Sequence, residues 1–102
     1  MNEGQQDLAA ITRLQVIVRG RVQGVGYRNW TYSQARLHKV NGCVRNLPDG
    51  GVEVLAEGTK EALQELLIEL KVGPKLANIT GVEVTWSTQS TSEFTEFSIH
   101  KN

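Results

Sequence analysis

The order of its periodic segments is the feature that most constrains the fold of this chain. The run RLQVIVRG, Arg13 to Gly20, is rich in β-branched residues and alternates loosely, which predicts a strand with Leu14, Val16 and Val18 on one face. From about Tyr27 to Lys39 the spacing of apolar residues lengthens to a helical period. The residues available for the apolar side of this helix are Tyr27, Trp30, Ala35 and Leu37.

The second half of the chain repeats this alternation. In GCVRNLPDGGVEVLAEG, two extended runs flank the turn-forming residues Pro48–Gly51, which predicts a hairpin. The segment TKEALQELLIELKVGP predicts a helix with Thr59 as N-cap and Gly73–Pro74 as its stop. Further strands are predicted over Ile79–Ser87 and, with less regular alternation, Glu93–Lys101. The apolar stripe of this second helix consists of Ala62, Leu63, Leu66, Leu67 and Leu70.

This order of elements predicts an α+β fold. A βαββαβ chain plus a short last strand forms a ferredoxin-like sandwich, an antiparallel sheet with two helices on one face. At 102 residues the chain has the length of one domain. We assign residues 13–102 to this domain and residues 1–12 to a flexible N-terminal tail.

Composition limits the partners and the compartment. The single cysteine, Cys43, cannot form an internal disulfide, and residues 1–12 lack the features of a signal peptide, so we expect a cytoplasmic protein. Eleven basic and eleven acidic side chains give a formal net charge of zero. We therefore expect no nucleic-acid or membrane partner, and any anion site must be local. We also expect a monomer.

The stretch GRVQGVGYRNW between the first strand and the first helix is the main candidate site. Its glycines, Gly20, Gly24 and Gly26, follow neither the dinucleotide-binding nor the P-loop spacing. Glycines let backbone N–H groups turn inward, and the following helix N-terminus is positive, so the loop can form a concavity for a tetrahedral anion. Arg28 would add a guanidinium that matches two phosphate oxygens. The alternative is that the glycines are present only because the turn from strand to helix is sterically tight, and that Arg28 is solvated.

Two motifs together resemble the acylphosphatase family. They are G-x-V-Q-G-V-x-[FY]-R, ending at Arg28, and G-x-V-R-N-x-x-D-G, which contains Asn46. The resemblance runs from about Leu14 to Ile99, and includes VEV, Gly58 and GPKLANITGVEV. It implies a small ferredoxin-like hydrolase of the carboxyl-phosphate anhydride bond of acyl phosphates, without metal or other cofactor. The residues that match the two motifs are Gly20, Val22, Gln23, Gly24, Val25, Tyr27, Arg28, Gly42, Val44, Arg45, Asn46, Asp49 and Gly50.

The resemblance also implies a set of site residues. The catalytic pair would be Arg28, which binds the substrate phosphate, and Asn46, which positions the attacking water. The chain departs from the family at Cys43, where Trp is common, at His38, where Leu is usual, and at Lys39, where Gly often ends the first helix. A non-glycine residue in a left-handed helix end would be costly. The implied phosphate-binding loop comprises Arg21, Val22, Gln23, Gly24, Val25, Gly26, Tyr27 and Arg28.

Alternative functions and simpler explanations stand beside this hypothesis. Domains of this type also occur in hydrogenase maturation factors that handle carbamoyl phosphate, so the chain could be a non-catalytic binding module for phosphate or carbamoyl phosphate. RNA binding on the sheet is disfavoured because the central strands lack aromatic side chains. Asn46 could be an ordinary turn residue, and Arg19 and Arg21 could be solvated.

Other polar residues have simpler interpretations. The spacing of His38 and His100 does not suggest metal ligands, and both are expected at the surface or at a helix end. Cys43 is expected to be a small buried hydrophobe, and Arg45 to point away from Asn46. A solvated acidic face is expected from Glu57, Glu61, Glu65 and Glu69.

Overall fold

The computed structural model describes residues 11–101. Over this range the predicted α+β ferredoxin-like fold is confirmed, with two helices on one face of a five-stranded sheet. Residues 1–10 of the predicted tail lie outside the described range, while residues 11 and 12 belong to the first strand. The elements in chain order are β1 (Ile11–Arg21), α1 (Tyr27–Leu37), β2 (Asn41–Asn46), β3 (Val52–Gly58), α2 (Lys60–Val72), β4 (Asn78–Gln89) and β5 (Phe97–Ile99).

The sequence predicted an antiparallel sheet, but the sheet is mixed. Its strand order is β4-β1-β3-β2-β5, and the first three neighbouring pairs are antiparallel. The last strand, β5, pairs in parallel with β2, with Gly42 opposite Phe97. This direction arises because β4 runs opposite to β2 and the connection to β5 reverses the chain again. The last strand is also shorter than expected, since only Phe97–Ile99 are extended.

The core lies between the sheet and the two helices. Leu14, Val16 and Val18 are fully buried, which confirms the predicted inner face of β1. Register places Val16 and Val44 on either side of Val54, so three adjacent strands present branched side chains to the helices. The leucine stripe of α2 covers them, with Leu63, Leu66 and Leu70 fully buried. The N-terminus of α2 is capped as predicted, since the Thr59 hydroxyl accepts a hydrogen bond from the Ala62 N–H at 3.1 Å.

The first helix differs from prediction at its C-terminal end. Its buried residues, Tyr27, Thr31 and Ala35, are spaced four apart. Leu37, expected on this face, is 71% exposed because two residues beyond Ala35 correspond to about 200° of helical rotation. The helix ends at Leu37, and Lys39 has a φ of 59°, so a non-glycine residue does occupy the left-handed conformation.

Glu57 is not part of a solvated acidic face, as we expected from the sequence. It is in β3 and only 3% exposed. The connection between β4 and β5 passes over it, and Ser92, Glu93 and Phe94 donate hydrogen bonds to its carboxylate. Glu57 therefore holds the segment that leads into β5.

Candidate active site

The glycine-containing loop joins the end of β1 to the start of α1. Gly24 and Gly26 have φ angles of 76° and 81°, a region that glycine occupies without steric cost. Gly26 is the N-cap of α1, which has no side-chain cap hydrogen bond and no acidic residue in its first turn. The first helical bond joins the Trp30 N–H to the Gly26 carbonyl at 3.0 Å. The positive end of α1 and its first N–H groups are thus presented at the loop.

A cavity of about 300 Å³ opens beside this loop. Arg28 and Asn46, which the resemblance pairs, both line it. The structure therefore brings the loop and the start of α1, which are contiguous in sequence, together with the distant end of β2. The full lining consists of Val22, Gly24, Gly26, Tyr27, Arg28, Asn29, Asn46, Ile99 and Lys101.

Three residues of the predicted phosphate-binding loop lie outside the lining. Arg21 is exposed at the end of β1, and Val25 packs against the hydrophobic core. The Gln23 side chain donates hydrogen bonds to the carbonyls of Leu47 and Gly51. The cavity is therefore bordered by alternate parts of the loop rather than by every residue of it.

Arg28 is oriented by the chain that follows β5. Its Nη1 donates to the His100 carbonyl oxygen at 2.8 Å. A guanidinium has five N–H donors, so this bond leaves capacity for an anionic ligand. Arg28 and Lys101 give the lining two cationic groups, and the described residues around the cavity include no carboxylate. The local potential is therefore suited to an anion although the formal net charge of the chain is zero.

Asn46 enters the cavity from the sheet. It is the last residue of β2 and is paired with Val52. Arg45 is on the opposite side, as alternation predicts, and its Nε donates to Glu53 Oε1 at 2.6 Å. Asn46 is thus the residue at this strand end that lines the cavity together with the loop.

Cys43 and His38 lie away from the cavity. Cys43 is buried, as expected, and burial raises the pKa of its thiol. His38 follows the last residue of α1, where its Nδ1 is 3.3 Å from Glu65 Oε1. Across residues 11–101, no group of three or more histidine, cysteine or acidic side chains could hold a metal ion. Within the same range, neither helix is long and apolar enough to span a membrane.

Three residues of the lining were not predicted from the sequence. Asn29 follows Arg28 in the first turn of α1, so its proximity could have been anticipated from helical geometry. Ile99 and Lys101 come from β5 and its continuation. Their placement depends on the pairing of β5 with β2, which local sequence patterns do not specify.

Comparison with known proteins decides the family. The acylphosphatase family model matches residues 14–99. This chain belongs to the acylphosphatase family.

Individual acylphosphatases agree with the match. An acylphosphatase from Thermus thermophilus is 51% identical over 78 residues, covering 76% of this chain and 89% of the relative. The crystal structure of an acylphosphatase from Bacillus subtilis superimposes with a TM-score of 0.83 at 40% identity, covering 88% of this chain and 99% of the other. The prediction of an acylphosphatase enzyme is thereby confirmed.

The same fold also occurs within a much longer protein. Full-length HypF, in a phosphate- and nucleotide-bound crystal structure, matches with a TM-score of 0.77 at 26% identity. The match covers 89% of this chain but 12% of HypF. The acylphosphatase fold is therefore compatible with both small and large protein contexts.

Proposed function

We propose that this acylphosphatase hydrolyses the carboxyl-phosphate anhydride bond of an acyl phosphate without a metal ion, using Arg28 and Asn46. The observation that carries the proposal is that both residues line one cavity with the loop glycines and the start of α1. The substrate phosphate would lie against the loop and helix N–H groups, with the Arg28 guanidinium on two of its oxygens. These donors are oriented before the reaction begins, which is how they stabilise charge on the transferring group.

Asn46 would position the attacking water. Its amide oxygen can accept a hydrogen bond from water and hold the water in line with the leaving oxygen. The water oxygen bonds to phosphorus as the bond from phosphorus to the acyl oxygen breaks, releasing a carboxylate and inorganic phosphate. The carboxylate leaves without protonation, and a loose transition state demands little deprotonation of the water, so a strong base is unnecessary. A neutral amide also avoids repelling the anionic substrate.

Steady-state hydrolysis of benzoyl phosphate in the presence of a chelator tests the proposal. Arg28→Ala is expected to reduce kcat/KM by about 10²–10³-fold and to weaken competitive inhibition by inorganic phosphate. Asn46→Ala is expected to reduce mainly kcat, by about 10²-fold, with phosphate inhibition retained. A carboxylate in Asn46→Asp should in addition raise KM by charge repulsion.

Matched variants separate these effects from general damage. Arg36→Ala removes the same charge from the exposed part of α1, and Asn41→Ala removes an amide from the other end of β2. Neither residue lines the cavity, so both variants should keep wild-type kinetics. Unchanged turnover in Asn46→Ala would contradict the water-positioning role. Phosphate binding without turnover in the wild type would instead favour the binding-module alternative.

We propose that the predicted domain, whose first strand begins at Ile11 in the structure, acts as a cytoplasmic monomer. Size-exclusion chromatography with light scattering tests the oligomeric state. A stable dimer would contradict the proposed monomer.

A further inference from the structure

The side chain of Gln23 connects the glycine-containing loop to the turn after β2. Its Nε2 lies 2.9 Å from the Leu47 carbonyl oxygen and 2.8 Å from the Gly51 carbonyl oxygen, in a partly buried position. Carbonyl oxygens only accept hydrogen bonds, so the amide must direct its NH₂ group towards them. Both hydrogens of that group are therefore used in the connection.

The connection joins the two parts of the chain that line the cavity, the glycine-containing loop and the end of β2 at Asn46. Leu47 directly follows Asn46, and the turn is closed by its own bonds, from the Leu47 N–H to the Gly51 carbonyl at 2.8 Å and from the Gly50 N–H to the Leu47 carbonyl at 3.1 Å. On the other side, Gly24 lines the cavity next to Gln23. A displacement at the Gln23 amide would therefore move the loop relative to Asn46 while each part kept its internal structure.

Backbone pairing between strands does not by itself fix the distance between the loop and Asn46. The ladder between β1 and β3 ends with Val18 opposite Val52, before either the loop or the turn is reached. The Arg19–Asp49 ion pair also links β1 to the turn, at 2.7 Å, but both side chains are exposed and such pairs are weak. Gln23 makes its contacts nearer the loop and in a less exposed position.

We propose that Gln23 is a positioning residue that sets the distance between the phosphate-binding loop and Asn46 without contacting the substrate. Its side chain is not among the described residues that line the cavity, although its neighbours Val22 and Gly24 are. This inference rests on the proposed function, in which the loop and Arg28 hold phosphate while Asn46 holds water. In-line attack requires both to be correctly placed relative to each other, whereas phosphate binding requires only the loop and the helix.

The kinetic parameters of Gln23 variants test this separation. Gln23→Met preserves side-chain length but removes both donors, and Gln23→Asn keeps the amide on a chain one methylene too short to reach both carbonyls. We expect kcat for benzoyl phosphate to fall by about 10–100-fold in Gln23→Met, since a misplacement near 1 Å has this effect. The inhibition constant for inorganic phosphate should change by less than about threefold, because ground-state binding is retained.

A stability-matched control distinguishes positioning from loss of fold. Thr59→Ala removes the N-cap bond of α2, away from the cavity, and should reduce the thermal midpoint without changing kcat or phosphate inhibition. Thermal unfolding verifies that each variant is folded at the assay temperature. If Gln23→Met does not fold, Gln23→Asn is measured in its place and is expected to lose kcat in the same way.

The possible outcomes separate this inference from the proposed function. If the wild type hydrolyses benzoyl phosphate and both Gln23 variants keep its kcat, the positioning role is wrong while the proposed function stands. If phosphate inhibition weakens as much as kcat falls, Gln23 shapes the anion site itself, and the positioning role is again wrong. If the wild type binds phosphate but does not hydrolyse benzoyl phosphate, the proposed function fails and this inference fails with it.

Discussion

Replacing Glu57 by glutamine is expected to destabilise the connection between β4 and β5. Glu57 Oε1 accepts hydrogen bonds from Ser92 Oγ at 2.8 Å, the Glu93 N–H at 3.1 Å and the Phe94 N–H at 3.3 Å. Its Oε2 accepts from Arg13 Nη2 at 3.0 Å. In Glu57→Gln one of these oxygens becomes an NH₂ group facing donors, and the charge that pairs with Arg13 is lost.

The expected loss follows from the burial and the number of partners. A hydrogen bond to a charged group contributes about 1.5–3 kcal/mol, and breaking a buried ion pair costs about 3–5 kcal/mol. Glu57 is 3% exposed, but Arg13 keeps its second partner, Glu93, so the lower part of this range applies. We therefore expect a loss of about 3 kcal/mol from a total of about 5–15 kcal/mol for a domain of this size. At about 4–8 °C per kcal/mol, the thermal midpoint should fall by about 12–24 °C.

Urea unfolding followed by the fluorescence of Trp30 and Trp86 measures this difference. Both tryptophans pack against the core, so their emission reports its exposure. Glu96→Gln is the matched control, because Glu96 is an exposed carboxylate in the same connection and should change stability by less than about 0.5 kcal/mol. If Glu57→Gln and Glu96→Gln unfold alike, the Glu57 carboxylate does not anchor the connection.

Two further predictions concern acid and the end of α1. Burial raises the pKa of Glu57, but hydrogen bonds from Ser92, backbone amides and Arg13 outweigh it and lower the pKa overall. Its contribution is therefore complete above the ordinary glutamate pKa of about 4.3 and is lost as the pH falls through the folded-state pKa. The free energy of unfolding should decrease as the pH falls below about 4.3, and less so in Glu57→Gln; equal decreases would contradict this assignment. Lys39→Gly should raise the free energy of unfolding by about 1 kcal/mol, because glycine adopts a φ of 59° without steric cost, and an unchanged urea midpoint would show that Lys39 is unstrained.

The acidic residues show where sequence patterns mislead. Glu57, Glu61, Glu65 and Glu69 recur at a spacing of four, as on the solvated face of a helix. The strand β3 nevertheless includes Glu57, and α2 begins only at Lys60. Glu57 is covered by a segment 35 to 37 residues further along the chain. The periodicity of a short stretch of sequence cannot reveal a contact at that separation.

The sequence by itself determined the order of the elements, the buried face of β1, the leucine stripe and cap of α2, and the loop that glycine makes possible. These features depend on side-chain spacing and backbone preferences within a few residues, so they can be read locally. The tertiary structure alone decided the parallel pairing of β5, the burial of Glu57, the Lys101 contribution to the cavity, and the Gln23 contacts. The two Gln23 hydrogen bonds join residues 24 and 28 positions apart in the sequence, and the bond from Arg28 to the His100 carbonyl joins residues 72 positions apart. Contacts at such separations depend on how strands pair and cross, because only the assembled sheet brings these groups together.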